Sequence, residues 1–523
     1  MSLCLGVYSC GSLLAKKEKH STILHRFFFM MKIVSFVFVC SVLFPVLFLF
    51  AEDPAKGHYE SALLFLKNRN IPQAIEDLNV VVKSFPESPY ADDALLQMGL
   101  LSLEQGQTDE ALSSFKQIKD NYPSSDSAPA AYYYLGKIHL NQPDAASQEE
   151  ALADFRRVAR VYPDSKWVAA SLVGAGTVFK KRGKIDEAWN EFAKVRIRFA
   201  DSPEAAQAQY EMGVCSLYGD HHIEASREFQ QVVQLFPDSE YAKAALDMNT
   251  LLYRLHIAGQ IQRLYSPVGS YSGSILDLDE PSGMSSDSKE NVYVVDKDKK
   301  LIYVLDPSGK ITNRSTLISP YSVSTDQQDR VLIANDTNVV PFGKDSIAFP
   351  HPQAKPEGLG KIRSAATDDS GRYFVVSENH PGILVYDQNK TLSSTFAPST
   401  VAKEYHSVLV NSRNEILLLD KDRKQLSVYS TDGKLLFTIG PAGNGFVIDR
   451  IEDFAVDRAN HIYLLEKKPR SVMIFSAAGE FIKNIASEKN TAGAFEDAKL
   501  ITVGPSGAIY LLDKDQKRIL KLG

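Results

Sequence analysis

From Glu52 to about residue 265 the apolar positions recur three and four apart, the spacing of helices that bury one face. After that the pattern changes to apolar runs of four to six residues separated by turn residues, which predicts short strands. The chain therefore reads as an N-terminal extension (residues 1–51), a helical domain (52–265) and an all-β domain (266–523).

A pair of marks repeats along the helical domain. An alanine preceded by Gln or Glu stands at Ala74, Ala111, Ala151, Ala188 and Ala225, at intervals of 37, 40, 37 and 37. Twelve residues later come Pro86, Pro123, Pro163, Ala200 and Pro237, each preceded by an aromatic: Phe85, Tyr122, Tyr162, Phe199 and Phe236. Proline ends a helix because it lacks the N–H and crowds the preceding turn. Gly99, Gly136, Gly176 and Gly213 keep the same phase, as do Phe115, Phe155, Phe192 and Phe229, so small residues and core rings alternate at a close helix contact. The interval of 40 is assigned to an extra loop at Asn141–Ser147.

These marks resemble the tetratricopeptide repeat (TPR) over five units, with corners similar to those of TPR proteins of the bacterial envelope, including the outer-membrane assembly and Tol–Pal systems. Residues Tyr241–Tyr265 read as a capping helix. The resemblance implies a TPR superhelix with a concave groove lined by the first helix of each unit. Counted from the glycines, the groove positions are Tyr59 and Leu63, Leu96 and Leu100, Tyr133 and Lys137, Val173 and Thr177, and Tyr210 and Val214, with Lys180 one turn further on. Aromatic and aliphatic anchors with few charges suit an extended or helical peptide. The lysine and asparagine clamp by which some TPRs hold chaperone tails is absent. The plainer reading, in which the tyrosines only pack locally, stands beside this one.

In the β domain, second strands are expected at Val292–Asp296, Val331–Asn335, Tyr373–Ser377, Ile416–Asp420, Ile462–Glu466 and Ile509–Asp513. Asn291, Arg330, Gly371, Asn414, Asn460 and Gly507 turn into them. Six four-stranded units in 258 residues is propeller arithmetic. The units resemble NHL repeats, best in Leu435–Gly440, Phe454–Asp457, the Asn460 turn, Ile462–Leu465 and Val472–Ser476. The chain stops after Arg518–Leu522, which leaves the last blade one strand short, so Val268–Ile275 is expected to supply the missing strand.

Ile33–Phe50 carries no charge, follows Lys32 and precedes Ala51-Glu52-Asp53, which matches a secretory signal cleaved after Ala51. Its 18 residues also reach the length of an uncleaved anchor, the one expected link to a membrane. Met30 and Met31 are alternative starts to Met1. Residues 1–51 carry five basic groups and one acid, so removing them takes the net charge from −6 to −10. Of the cysteines, Cys4, Cys10 and Cys40 lie in the same segment and only Cys215 lies beyond it. An acidic exported chain argues against nucleic-acid binding, which needs clustered Lys and Arg. The expected location is periplasmic or at the cell surface.

Candidate chemistry is thin. Asp296-Lys-Asp298, Asp420-Lys-Asp422 and Asp513-Lys-Asp515 recur on turns that gather on one propeller face, where carboxylates bind a cation or simply cap backbone amides. Repetition in three blades favours capping. Cys215, Asp220, His221 and His222 are zinc ligands by type, but the cysteine lies in an expected helix. His351, His380, His406 and His461 share no spacing, and Gly440–Gly445 lacks the Lys-Ser/Thr of a phosphate loop. With no catalytic residues, metal or cofactor indicated, the sequence reads as a non-catalytic scaffold whose groove takes a partner protein segment and whose propeller face takes a second ligand. The alternatives are a metal-assisted propeller hydrolase or lyase with a TPR targeting arm, and a glycan- or peptidoglycan-binding module.

Overall fold

The computed structural model describes residues 53–523 apart from 143, 258–264, 273–276, 351–357, 397–404, 441–447, 469 and 487–493. The signal segment, His351 and the glycine-rich run after Gly440 lie outside the described residues. An N-terminal region of eleven helices in tandem pairs is followed by a six-bladed all-β propeller. The chain forms two compact units, one ending at Tyr134 and the other running from Leu135 to Gly523.

The first unit contains α1 (Pro54–Lys67), α2 (Ile71–Ser84), α3 (Ala91–Glu104), α4 (Thr108–Asn121) and the start of α5 (Ala128–Leu140). The Asp53 carboxylate accepts from the Ala55 N–H at the start of α1, where Pro54 has no N–H to leave unsatisfied. The second unit holds the end of α5, then α6 (Ala145–Val161), α7 (Trp167–Lys181), α8 (Ile185–Arg198), α9 (Ala205–Tyr218), α10 (His222–Leu235) and α11 (Glu240–Leu252). A π-helical turn at Tyr253–Ile257 extends α11, and residues 258–264 of the expected capping helix lie outside the described residues. The extra residues of the long repeat are not all loop. Asp144 caps the Ser147 N–H, and Ala145–Ser147 instead lengthen α6 to 17 residues.

Each second helix ends on its aromatic. Phe85, Tyr122, Tyr162, Phe199 and Phe236 leave helical geometry with φ between −124° and −134°. Proline imposes this on four of them. Phe199 adopts it before Ala200, where no proline follows. The glycines meet those repeats' core rings. A Cβ built on Gly99, Gly136, Gly176 or Gly213 would lie 2.5–2.7 Å from the ring of Phe115, Phe155, Phe192 or Phe229, respectively. No described helix is long and apolar enough to cross a membrane.

All six second strands begin and end where the sequence pattern places them. Each is a nearly continuous buried run, which is why it was legible. The left-handed residue of the turn into each second strand is Glu290, Asp329, Gly371, Asn414, Asn460 or Gly507. The last sheet has the order Pro267–Ser272, Arg518–Leu522, Ile509–Asp513, Ala498–Val503. The expected closing strand is present, with Ser270 opposite Leu520 and Tyr271 opposite Ile519.

Candidate functional site

In the first unit the expected groove residues are neither core nor freely solvated. Tyr59, Leu96, Leu100 and Tyr133 are half-buried, and Leu63 is 39% exposed. The Tyr59 ring lies 5.5 Å from that of Tyr90, and Tyr133 meets Tyr134 edge-on at 5.2 Å. Burial, with the charges of Asp93 and Asp92 behind it, pushes the Tyr59 hydroxyl up to about 12.

In the second unit Lys137 is exposed, whereas Val173 is buried and Thr177 spends its hydroxyl on the Val173 carbonyl at 2.9 Å. Lys180 pairs with Glu211 at 2.5 Å. Burial opposes its charge, but Glu211 outweighs it and holds the ammonium above its ordinary range. Tyr210 lies 5.3 Å from Phe229 and 5.6 Å from Tyr241, with Val214 against the same cluster, and burial lifts its hydroxyl to about 12. The structure thus brings Lys180, Tyr210 and Val214 into a locally packed, charge-satisfied patch, while Lys137 remains on the surface.

Beside this patch the propeller packs against the helices. The Tyr218 hydroxyl donates to the Ser412 carbonyl at 2.8 Å, and Arg413 donates to the Leu217 carbonyl at 3.3 Å with its guanidinium 5.1 Å from the Tyr218 ring. Ala459 joins the cluster of Leu217, Phe229 and Leu251. Arg254 reaches the Ser506 carbonyl at 3.0 Å, and a Cβ on Gly507 would meet Leu251 at 2.6 Å. His256 and His461 meet through their Nε2 atoms at 2.8 Å, and His222 stacks on His256 at 3.6 Å. All these propeller residues sit on turns from first to second strands.

On the turns from second to third strands the repeated acids face the backbone. Asp296 accepts from the Lys299 and Asp279 amides at 2.9 and 2.7 Å, Asp420 from the Arg423 amide at 2.9 Å, and Asp513 from the Gln516 and Glu496 amides at 3.2 and 2.8 Å. They are turn caps. The propeller axis holds a channel of about 160 Å³, lined by hydroxyls such as Ser285, Ser407 and Thr502 and by Arg363, His406, Lys421 and Asp453. Burial pushes Asp453 up to about 6, against the opposing pull of Lys421 and the Ile501 amide at 3.0 Å. Two fixed cations beside one acid make this channel better suited to a polar or anionic ligand than to a metal ion.

Comparison with known proteins follows the same division. The YfiO family, described as an outer membrane lipoprotein, matches residues 51–172, and DUF5128, described as a 6-bladed beta-propeller, matches residues 399–500. The outer membrane protein assembly factor BamD of Xylella fastidiosa (strain 9a5c) is 24% identical over 136 residues, covering 23% of this chain and 47% of that protein. BamD of Pasteurella multocida (strain Pm70) is 21% identical over 226 residues, 42% of this chain and 83% of that protein. The chain carries a YfiO/BamD-like TPR-type domain and a six-bladed propeller domain. It spans about half the length of the Xylella relatives it matches. Among solved structures, streptogramin B lyase matches 49% of this chain and 96% of its own at 12% identity and a TM-score of 0.38. A Bacteroides thetaiotaomicron protein of unknown function matches 50% of this chain and 75% of its own at 12% identity and a TM-score of 0.41.

In the BamD-like domain Cys215 is buried and its thiol is pushed up to about 12 by that burial. The zinc set is not assembled: His222 turns to His256 and His461. His380 accepts from the Gly382 amide within its own strand at 3.1 Å. Sequence reasoning expected the propeller to be coupled to the capping helix but did not find the residues of the junction, because Tyr218, Arg413, Ala459 and His461 are ordinary residues far from one another in the chain. The small Gly507 and Ala459 on turns that could have carried larger residues were the available signal.

Proposed function

We propose that this protein is a non-catalytic protein–protein interaction scaffold of the cell envelope, exported and associated with the outer membrane. The observation that carries the reading is the set of apolar side chains left partly exposed on the first helices of successive repeats: Leu63, Leu96, Leu100 and Tyr133. Apolar anchors held on rigid helices and only partly covered are what a groove offers to a partner segment. Likeness to BamD, named as an assembly factor for outer membrane proteins, supports protein partners in that context. The propeller adds a second surface, because the junction uses one set of its turns and leaves the acid-capped turns to bind another ligand.

The test is a pair of substitutions at exposed positions. Leu63→Glu with Lys137→Glu abolishes capture of the specific partner without lowering the melting temperature. Tyr210 is unsuitable, since it packs against Phe229 and Tyr241. Undiminished capture by the pair would remove the groove from the account.

A second reading, a propeller hydrolase or lyase, draws on the charged channel around Asp453. Turnover of any ester, lactone or glycan substrate that Asp453→Asn and His406→Ala both abolish would favour it over the scaffold.

A further inference from the structure

Asp92 and Asp93 occupy the first turn of α3, and Asp126 stands just ahead of α5. One carboxylate oxygen from each lies within 4.8 Å of the other two. The repeat does not require these acids. At the positions of Asp92 and Asp93 the later units have Pro129 and Ala130, Ala169 and Ala170, Ala206 and Gln207, and Lys243 and Ala244. Acids that depart from the repeat answer to something other than the fold.

A helix N-terminus favours negative charge, and that alone would explain one exposed carboxylate. It does not explain Asp92. This residue is 4% exposed, and its Oδ2 is fully buried with no hydrogen-bond partner. A buried carboxylate oxygen without donor or counter-ion is unfavourable. Among the described residues no Lys, Arg or His pairs with Asp92, Asp93 or Asp126, although the three repel one another. The Ser127 hydroxyl donates to Asp93 Oδ1 at 2.7 Å. That bond orients the group and leaves its other oxygen for a further partner.

We propose that Asp92, Asp93 and Asp126 bind a divalent cation of the calcium class. The donors are all hard oxygens, with no His or Cys, which excludes a preference for zinc or copper. Calcium accepts irregular sets of six to eight oxygens, so three carboxylates can be completed by carbonyls and water, whereas magnesium requires a near-octahedral set. With Asp93 half-buried and Asp126 exposed, the affinity falls in the range of extracellular modules, a Kd of about 10⁻⁴–10⁻³ M. The ion tethers the start of α3 to the start of α5, next to Tyr59, and so stiffens the rim of the expected groove.

The experiment uses the full chain, stripped with chelator and titrated with calcium or magnesium. It is read by melting temperature and by terbium luminescence excited through tyrosine, since Tyr59 is close to the acids. Calcium raises the melting temperature with half-saturation in the stated range, magnesium has less effect, and terbium luminescence appears. Asp126→Asn, an exposed substitution, melts no lower than wild type without metal, and loses at least about tenfold in calcium affinity and most of the luminescence. Asp92→Asn behaves the same way if it folds. No calcium-dependent shift up to about 10 mM, ten times the weakest expected Kd, would overturn the proposal. So would a shift that Asp126→Asn leaves intact.

Discussion

His256 of the π-turn and His461 of the fifth blade face each other with their Nε2 atoms 2.8 Å apart. His461 Nδ1 lies 2.9 Å from the Asp457 carboxylate, which fixes the hydrogen on Nδ1. The two Nε2 atoms therefore share one hydrogen, and the contact cannot be made with both rings charged.

This geometry has a pH consequence. Burial, then His461 and His222, hold His256 down at about 3, and burial, then His461, also lowers His222. Asp220, with Arg413 and His221, completes the charged surroundings of His222. The unfolded chain protonates both near 6.5, so between about pH 6.5 and 3 it binds more protons than the folded one. The stability of the junction is complete above pH 6.5 and is lost as pH falls. Melting curves from pH 7.5 to 5 should decline in wild type and flatten in His256→Gln. Equal slopes would show that the histidines do not set the pH response.

Asp453 gives the opposite sign. Its folded pKa of about 6 exceeds the unfolded value, so its contribution is intact below about pH 4 and is lost as pH rises through 6. Asp453→Asn keeps an acceptor for the Ile501 amide and removes the charge. The variant should melt higher than wild type at pH 7, and the gain should vanish at pH 4. A lower melting temperature at pH 7 would mean that the Lys421 attraction outweighs burial.

Two glycines in the helical repeats should respond oppositely to alanine. At Gly176 the new Cβ would sit 2.6 Å from the buried Phe192 ring, which has no room to retreat, so the cost is about 1–3 kcal/mol. At Gly57, inside α1, nothing lies within 4 Å, and the substitution should stabilise by about 0.4–1 kcal/mol. Denaturant titration of both variants measures the contrast.

The closing strand should hold the propeller. Tyr271 packs its ring near Tyr510 and donates to the Pro307 carbonyl at 2.8 Å, joining the last blade to the first. Tyr271→Ala should cost about 1–3 kcal/mol and raise proteolysis near residues 267–272. Unchanged protease resistance would mean that the strand is an accessory.

The architecture was legible because both halves repeat. The 37-residue marks and the buried runs such as Ile462–Glu466 report local packing that recurs with every unit. Site residues were less legible. Tyr210 looked like a groove anchor by spacing, yet whether Phe229 and Tyr241 surround it depends on neighbours that spacing does not specify. Asp92 was not singled out by the sequence pattern, and its burial required coordinates.

The scaffold reading is tested most directly by photo-crosslinking in cells from Leu63 and from Lys137, with Ile197, 80% exposed on a second helix, as the control position. Discrete protein adducts from the first two sites and none from Ile197 are the expected result. Adducts from Ile197 alone, or from none of the three, would contradict a partner segment held on the first helices.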